Sequence, residues 1–259
     1  MSRINLVYSK ISKAFKIMRL NRPVKGLRIL IYHSVFSESS SQDGICPFSV
    51  SEDNFIKQLK VLKNDSHFNL VHFNSTDLDY SKMNIAITFD DGFLDNLTVA
   101  SAHLEVAKIP YTVFVTSDNV FKQGDEFLNE EQLMRLSQLP HCQIGSHGKT
   151  HHQLDTLSPE KMYLELKDSK EVLEKIISKE IDTISYPHGA YNSEVIEKAT
   201  NLRYKFGATS FFKTNKNLNN SLELGRVVIM NRDSEQSFYE KVMGFWDWYY
   251  WAQVLKGGA

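Results

Sequence analysis

The chain has 259 residues, 42% of them apolar and 24% charged, with twelve Gly, six Pro and a formal charge of −1. That length supports one large domain or two small ones with a sizeable core, and the composition excludes collagen-like, low-complexity and wholly disordered chains. No apolar run reaches the ~18 to 20 residues that a membrane-spanning helix needs, and the two cysteines, Cys46 and Cys142, cannot build a disulfide framework.

Residues 1 to 28 carry eight Lys or Arg and no acid, which leaves the rest of the chain at −9. Within residues 1–26, read as a basic arm, Ile4, Val7, Tyr8, Ile11, Phe15 and Met18 recur at helical spacing with the basic side chains mostly elsewhere on the wheel. Such a helix over residues 1–22 suits an anionic membrane surface, and equally a packing face on its own domain. Nucleic-acid binding fits less well, because the arm has no recognisable reader fold and the body is acidic. The N-terminus lacks the apolar core and cleavage site of a secretory signal, so the expected setting is the cytoplasm, at the inner face of the membrane if the arm binds lipid.

From residue 27 to 259 the sequence reads as one domain. Leu27 to Tyr32 is an apolar run that predicts a buried strand ending at His33, followed by a polar loop from Ser34 to Pro47. Ser51 caps a helix striped by Phe55, Leu59 and Leu62, and Ile85 to Phe89 is the next strand. A helix from about Leu94 to Lys108 leads to the strand Tyr111 to Val115, and one near Glu130 to Leu139 leads to the strand Cys142 to Ser146. Ser158 and Pro159 open a helix with Met162, Leu166, Leu173 and Ile177 on its apolar side. Thr183 to Tyr186, Tyr204 to Ala208 and Leu224 to Met230 are further predicted strands, with Asn192 capping a helix between the first two. Apolar strands alternating with amphipathic helices predict an α/β domain with a mostly parallel sheet, and the length allows a barrel, whose chemistry would gather where strands end.

Two strand ends hold unusual residues. Ile85 to Phe89 runs into Asp90, Asp91 and Gly92; adjacent acids on an extended chain point to opposite sides, which favours a split role. Cys142 to Ser146 runs into His147, Gly148, Lys149, Thr150 and His151, a pair of imidazoles four apart that a helical turn would bring to one side. Two His and one carboxylate make a ligand set for a catalytic divalent metal, leaving the other acid free as a base.

Thr88-Phe89-Asp90-Asp91-Gly92 and His147-Gly148-Lys149-Thr150-His151 resemble the first two motifs of the polysaccharide deacetylases, the NodB-like fourth carbohydrate esterase family, and Ser185 to Asn192 is similar to the third. The resemblance covers about residues 27 to 230. It implies a distorted parallel (β/α)7-8 barrel and a metal-dependent hydrolase that removes acetyl groups from N-acetylated sugars. Carried over by position, it makes Asp91, His147 and His151 the metal ligands and Asp90 the general base, with zinc as the implied ion or Co2+, Ni2+ or Mn2+ in its place. No His follows His188. Relatives that act on poly-N-acetylglucosamine look circularly permuted and carry a Tyr-His pair on the first strand, which Tyr32-His33 matches, so His33 is the implied acid.

Three positions depart from the family pattern. Gly148 stands where many members have a hydroxyl, Ser185 where an arginine commonly orients the base, and His188 where a tyrosine commonly follows Pro187. Arg226 is the candidate substitute for the missing arginine, while Pro187, His188 and Tyr191 are candidates for contact with substrate, the His188 backbone N–H facing the oxyanion. The implied partner is an acetamido saccharide of a surface glycan, or its lipid- or nucleotide-linked precursor. An amidohydrolase acting on a small non-sugar amide and an inactive sugar-binding module are the alternatives, and no oligomeric state is implied. His67, His72, His103, His141 and His152 read as surface residues, Cys142 as a small hydrophobe, and the cluster from Trp246 to Trp251 as a sugar platform, a hydrophobic cap or a membrane-surface element.

Overall fold

The computed structural model describes residues 25–37 and 48–255, so all of the arm but its last two residues, and with it the membrane contact expected of residues 1–22, falls outside the described residues. In chain order the strands are β1 (Gly26–Tyr32), β2 (Val35–Phe36), β3 (Val50–Ser51), β4 (Phe68–Leu70), β5 (Met83–Phe89), β6 (Tyr111–Val115), β7 (Cys142–Ser146), β8 (Thr183–Ser185), β9 (Phe206–Ala208) and β10 (Val227–Val228). The helices are α1 (Glu52–Asn64), α2 (Ser101–Ala107), α3 (Glu130–Ser137), α4 (Pro159–Ile177), α5 (Ser193–Asn201), α6 (Glu235–Val242) and α7 (Tyr249–Leu255).

All strands except β2 and β3 belong to one parallel sheet in the order β10-β1-β5-β6-β7-β8-β9, with β4 on the first half of β5. β1 and β5 are buried at every residue, as parallel strands covered on both faces must be. The sheet curls until its ends meet. Ala208 bridges Leu224, the Leu224 N–H donates to the Gly207 carbonyl at 2.8 Å, and the Thr209 N–H donates to the Leu224 carbonyl at 2.8 Å. The result is the distorted α/β barrel.

Alternation along the strands divides the core. Leu27, Ile29, Ala86, Phe114, Phe206 and Ala208 fill the inside of the curl, while Leu30, Ile85, Ile87, Val113 and Ile144 face outward against Phe55, Leu133, Leu166 and Leu173 of the helices. The inner layer is tight: a Cβ on Gly145 would lie 2.5 Å from the Phe114 ring.

The helix ends follow local chemistry. Ser51, Ser158 and Asn192 each accept a backbone N–H from the first turn of their helices, and Asn129 forms a reciprocal capping box with Gln132. Four predicted elements differ. The segment after His33 contains β2, paired with β3, rather than loop throughout. The helix expected from Leu94 starts as a π-turn over Asn96–Ala100. Tyr204 stays outside β9, its hydroxyl donating to the Leu166 carbonyl at 3.0 Å. Finally, β10 keeps only two of the expected seven residues because Leu224 and Arg226 are engaged by backbone bonds across the barrel's closing seam. Among the described residues no helix is long and apolar enough to cross a membrane.

Candidate active site

One rim of the barrel gathers the ends of β1, β5, β7 and β8. The pleat puts Asp90 on the same side as Thr88, directed into the barrel, where it is 4% exposed. Asp91 then leaves the strand with φ 74° and Gly92 follows with φ 76°, a reversal that swings the Asp91 carboxylate toward the end of β7. Its Oδ1 lies 3.5 Å from His147 Nε2 and 3.3 Å from His151 Nε2. The split of the two acids is thus geometric.

The two histidines meet without a helical turn. Residues 147–153 are irregular, Gly148 has φ 72° and His151 φ 65°, yet the rings stand 4.9 Å apart between centroids. Backbone bonds from Ser117 N to Gly148 O (3.1 Å) and Asp118 N to Lys149 O (3.0 Å) fold the loop back against the segment after β6, and this tertiary tie replaces the expected helix. Among the described residues six non-glycine residues have positive φ; Lys108 and Ser178 cap helices and Arg203 directly follows the cap of α5. The other three are Asp91, His151 and His188. Such residues cost of the order of 1–3 kcal/mol each and persist where surrounding contacts over-determine them.

Asp91, His147 and His151 offer ligand atoms that all lie within 4.8 Å of one another. Ligands about 2.1 Å from a tetrahedral cation sit about 3.4 Å apart, close to both Asp91 distances. His147 Nδ1 is 2.7 Å from the Ser185 carbonyl, which can only accept, so Nδ1 carries a proton and Nε2 is the nitrogen that faces Asp91. Burial, followed by the neighbouring His147, pulls the His151 imidazole down to about 4 against the opposing pull of Asp91, so it is neutral at pH 7. Two imidazole nitrogens and a carboxylate oxygen gathered at this spacing are a donor set suited to a divalent cation, and the residues fit one.

Asp90 has a different partner. Arg226 donates to it through both arms, Nη1 to Oδ1 and Nη2 to Oδ2, each at 2.7 Å. Nη2 also donates to Ser185 Oγ at 2.8 Å, Ser185 Oγ donates to Asp90 Oδ2 at 3.2 Å, and Nε donates to the Thr209 carbonyl at 3.0 Å. Arg226 is 1% exposed, so this is a fully buried bidentate pair. Burial by itself would raise the Asp90 pKa, but the Arg226 guanidinium, with His147 and His33, outweighs it and holds the carboxyl well below the usual range. Ser185 therefore stands beside the arginine and bonds both members of the pair.

His33 follows β1 at the same rim. Its ring stacks on Phe48 with centroids 5.2 Å apart, its carbonyl accepts from Asn96 Nδ2 at 2.8 Å, and its Nδ1 is buried without a hydrogen-bond partner. Burial lowers its pKa, while Asp90 and Asp91 act in the opposite sense. Pro187 is buried against Gly148, where a Cβ would approach the proline ring to 3.3 Å. The exposed His188 ring lies 4.6 Å from that of His151, and Tyr191 stacks on Tyr186 at 5.6 Å.

The remaining candidates lie apart. His67, His103 and His141 each meet a carboxylate at 2.7 Å, that of Asp65, Glu52 and Glu105 respectively, pairings that no local pattern announces. Burial pushes the Cys142 thiol well above its usual range, the condition of an inert hydrophobe. In the aromatic cluster, Tyr249 and Tyr250 pack on Phe212 and Phe211, and Trp251 is 66% exposed. Sequence reasoning missed Thr209, whose carbonyl anchors Arg226, and Glu165, which binds the loop between the two histidines. The available signal for Glu165 was an acid set between Met162 and Leu166 on the apolar side of α4.

The sequence model described as Polysaccharide deacetylase matches residues 77–207. YxkH of Bacillus subtilis, named as a candidate polysaccharide deacetylase, is 29% identical over 198 residues, covering 74% of this chain and 67% of that protein. Among solved structures, the Streptococcus pyogenes deacetylase PplD in complex with acetate is 26% identical with a TM-score of 0.74, covering 85% of this chain and 99% of that one. A candidate polysaccharide deacetylase of Bacillus anthracis is also 26% identical, with a TM-score of 0.72 over 84% of this chain and 69% of that one. Because the matched region spans just over half of the 259 residues and contains Asp90, Asp91, His147 and His151, the chain belongs to the polysaccharide deacetylase family.

Proposed function

We propose that residues 27–259 form one catalytic domain that hydrolyses the N-acetyl group of an acetamido sugar, with Asp90 as base and His33 as acid. The observation that carries this reading is the division of labour between adjacent acids: Asp91 faces two imidazoles, Asp90 an arginine. Asp91, His147 and His151 would hold the divalent ion, most simply Zn2+, which when bound polarises the acetyl oxygen and acidifies water. Arg226 keeps Asp90 ionised and fixed, ready to accept a proton from the attacking water. The water oxygen bonds to the acetyl carbon, the C–N bond breaks, and His33 delivers a proton to the departing amine. The His188 N–H is assigned to the developing oxyanion, and Pro187 and Tyr191 to the border of the acetyl pocket. Acetate in the complex of the S. pyogenes relative supports this direction, since acetate is what such a hydrolysis releases.

The test is acetate release from N-acetylglucosamine oligomers, compared with cyclic ureides, before and after chelation. Release from the oligomers alone, abolished by chelator and restored by Zn2+, is expected; turnover of the ureides alone would overturn the proposal. His33→Ala should lower kcat by about 10²- to 10⁴-fold, the usual contribution of a positioned acid, while Zn2+ content is unchanged. Unaltered kcat would remove His33 from the mechanism.

We further assign the arm, residues 1–22, to an anionic membrane surface on the cytoplasmic side, where a lipid-linked saccharide would be met. Its six basic residues, with no acid among them, motivate the assignment. Deleting residues 1–22 should abolish salt-sensitive partition onto phosphatidylserine vesicles; undiminished partition would refute it.

A further inference from the structure

We infer that Glu165 is a positioning residue for the cation site, fastening the Lys149–Thr150 turn and thereby placing His151 opposite Asp91. The inference rests on the reading of Asp91, His147 and His151 as ligands.

The loop from His147 to His151 has little local reason to hold its shape. Gly148 has no side chain to fasten and sits at φ 72°, and His151 occupies the left-handed region with φ 65°. A five-residue segment of this kind samples many conformations unless something outside it chooses one. Glu165, on α4, is the outside contact with the most bonds. Its Oε2 accepts the Lys149 N–H at 3.0 Å and the Thr150 N–H at 2.9 Å, and its Oε1 accepts the Thr150 hydroxyl at 2.6 Å. Glu165 is 9% exposed, and a buried acid is retained at a cost that these three donors offset.

The same face of α4 supports the loop twice more. Ser169, four residues on, bonds Ser146 Oγ at 2.8 Å, which in turn accepts the Gly148 N–H at 3.2 Å. Asp168 pairs with Lys149 Nζ at 2.9 Å. Glu165, Asp168 and Ser169 are spaced i, i+3, i+4, one side of a helix aimed at one loop. Thr150 adjoins His151 directly, so loss of the Glu165 carboxylate frees the peptide units that set the angle of the His151 ring.

The test is titration of the purified full-length protein with Co2+ alone, followed by visible absorption and calorimetry, with melts of the metal-free protein alongside. Wild type should bind one Co2+; absence of binding would defeat the ligand reading itself. Glu165→Ala should weaken Co2+ binding by about 10- to 100-fold, the usual effect of removing a group that orients a ligand, and should alter the visible spectrum. Glu165→Gln should stay within about threefold of wild type, because its amide oxygen can take both N–H groups while its NH2 donates to the Thr150 hydroxyl. If Glu165→Ala does not fold, Glu165→Asp, which keeps the charge but withdraws it by about one C–C bond of 1.5 Å, should show the same weakening. Wild-type affinity and spectrum in a folded Ala or Asp variant would overturn the proposal, as would equal losses in the Gln and Ala variants.

Discussion

Asp90→Asn is expected to lower kcat for acetate release by about 10²- to 10⁴-fold, the range of a positioned general base, with one divalent ion still bound per chain. The two effects separate because Asp90 is not among the three clustered ligand residues: its oxygens are held by Arg226 at 2.7 Å, and its nearer approach to His147 is 3.9 Å. The variant should also melt lower, since the amide leaves a buried guanidinium without its counter-charge. Kinetics are therefore to be measured below the variant's own transition. If kcat is retained, or metal is lost with activity, the assignment of Asp90 as base fails.

Arg226→Met should destabilise the protein by about 3–5 kcal/mol, because removing one partner strands the other as a buried charge. At about 2–4 °C per kcal/mol for a protein of this size, the melting temperature should fall by roughly 6 to 20 °C. The double variant Asp90→Asn/Arg226→Met should be less destabilised than the sum of the singles, since no charge is then stranded. Acid titration offers a second reading of the same pair. The folded Asp90 carboxyl is held below its unfolded value of about 3.9, so its stabilisation is complete above about pH 4 and is lost as pH falls below that. Between pH 4 and about 2 the wild type should lose stability more steeply than the double variant. Parallel slopes, or additive singles, would show that the pair contributes nothing specific.

Much of the barrel was legible because its strands are apolar runs with abrupt polar ends. Tyr111–Val115 and Cys142–Ser146 fall where the sequence places them, as do the caps at Ser51, Ser158 and Asn192. What escaped depends on contacts distant in the chain. β4 is three residues long, two of them partly exposed, and exists because β5 offers it a ladder. β10 shrinks because its leading residues close the seam instead. The convergence of His147 and His151 was legible; its means was not, since the helical spacing is satisfied by a loop tied to α4 and to the segment after β6. Arg226 could be singled out only as a charge inside an apolar run, and its distance from Asp90 follows from curvature that no local pattern encodes.

The late position of the closing segment has a consequence for how the Asp90–Arg226 pair comes into being. Asp90 and Arg226 are 136 positions apart, and they meet inside the barrel, Arg226 on the segment that leads into β10 and Asp90 at the end of β5, with β1 between the two strands. A nascent chain grown to residue 207 already contains the whole matched family region, yet it has neither the arginine nor the Thr209 carbonyl that aims it. Until translation passes residue 226, Asp90 is an acid without its cation on an unclosed sheet, so the buried ion pair forms only with the last strand.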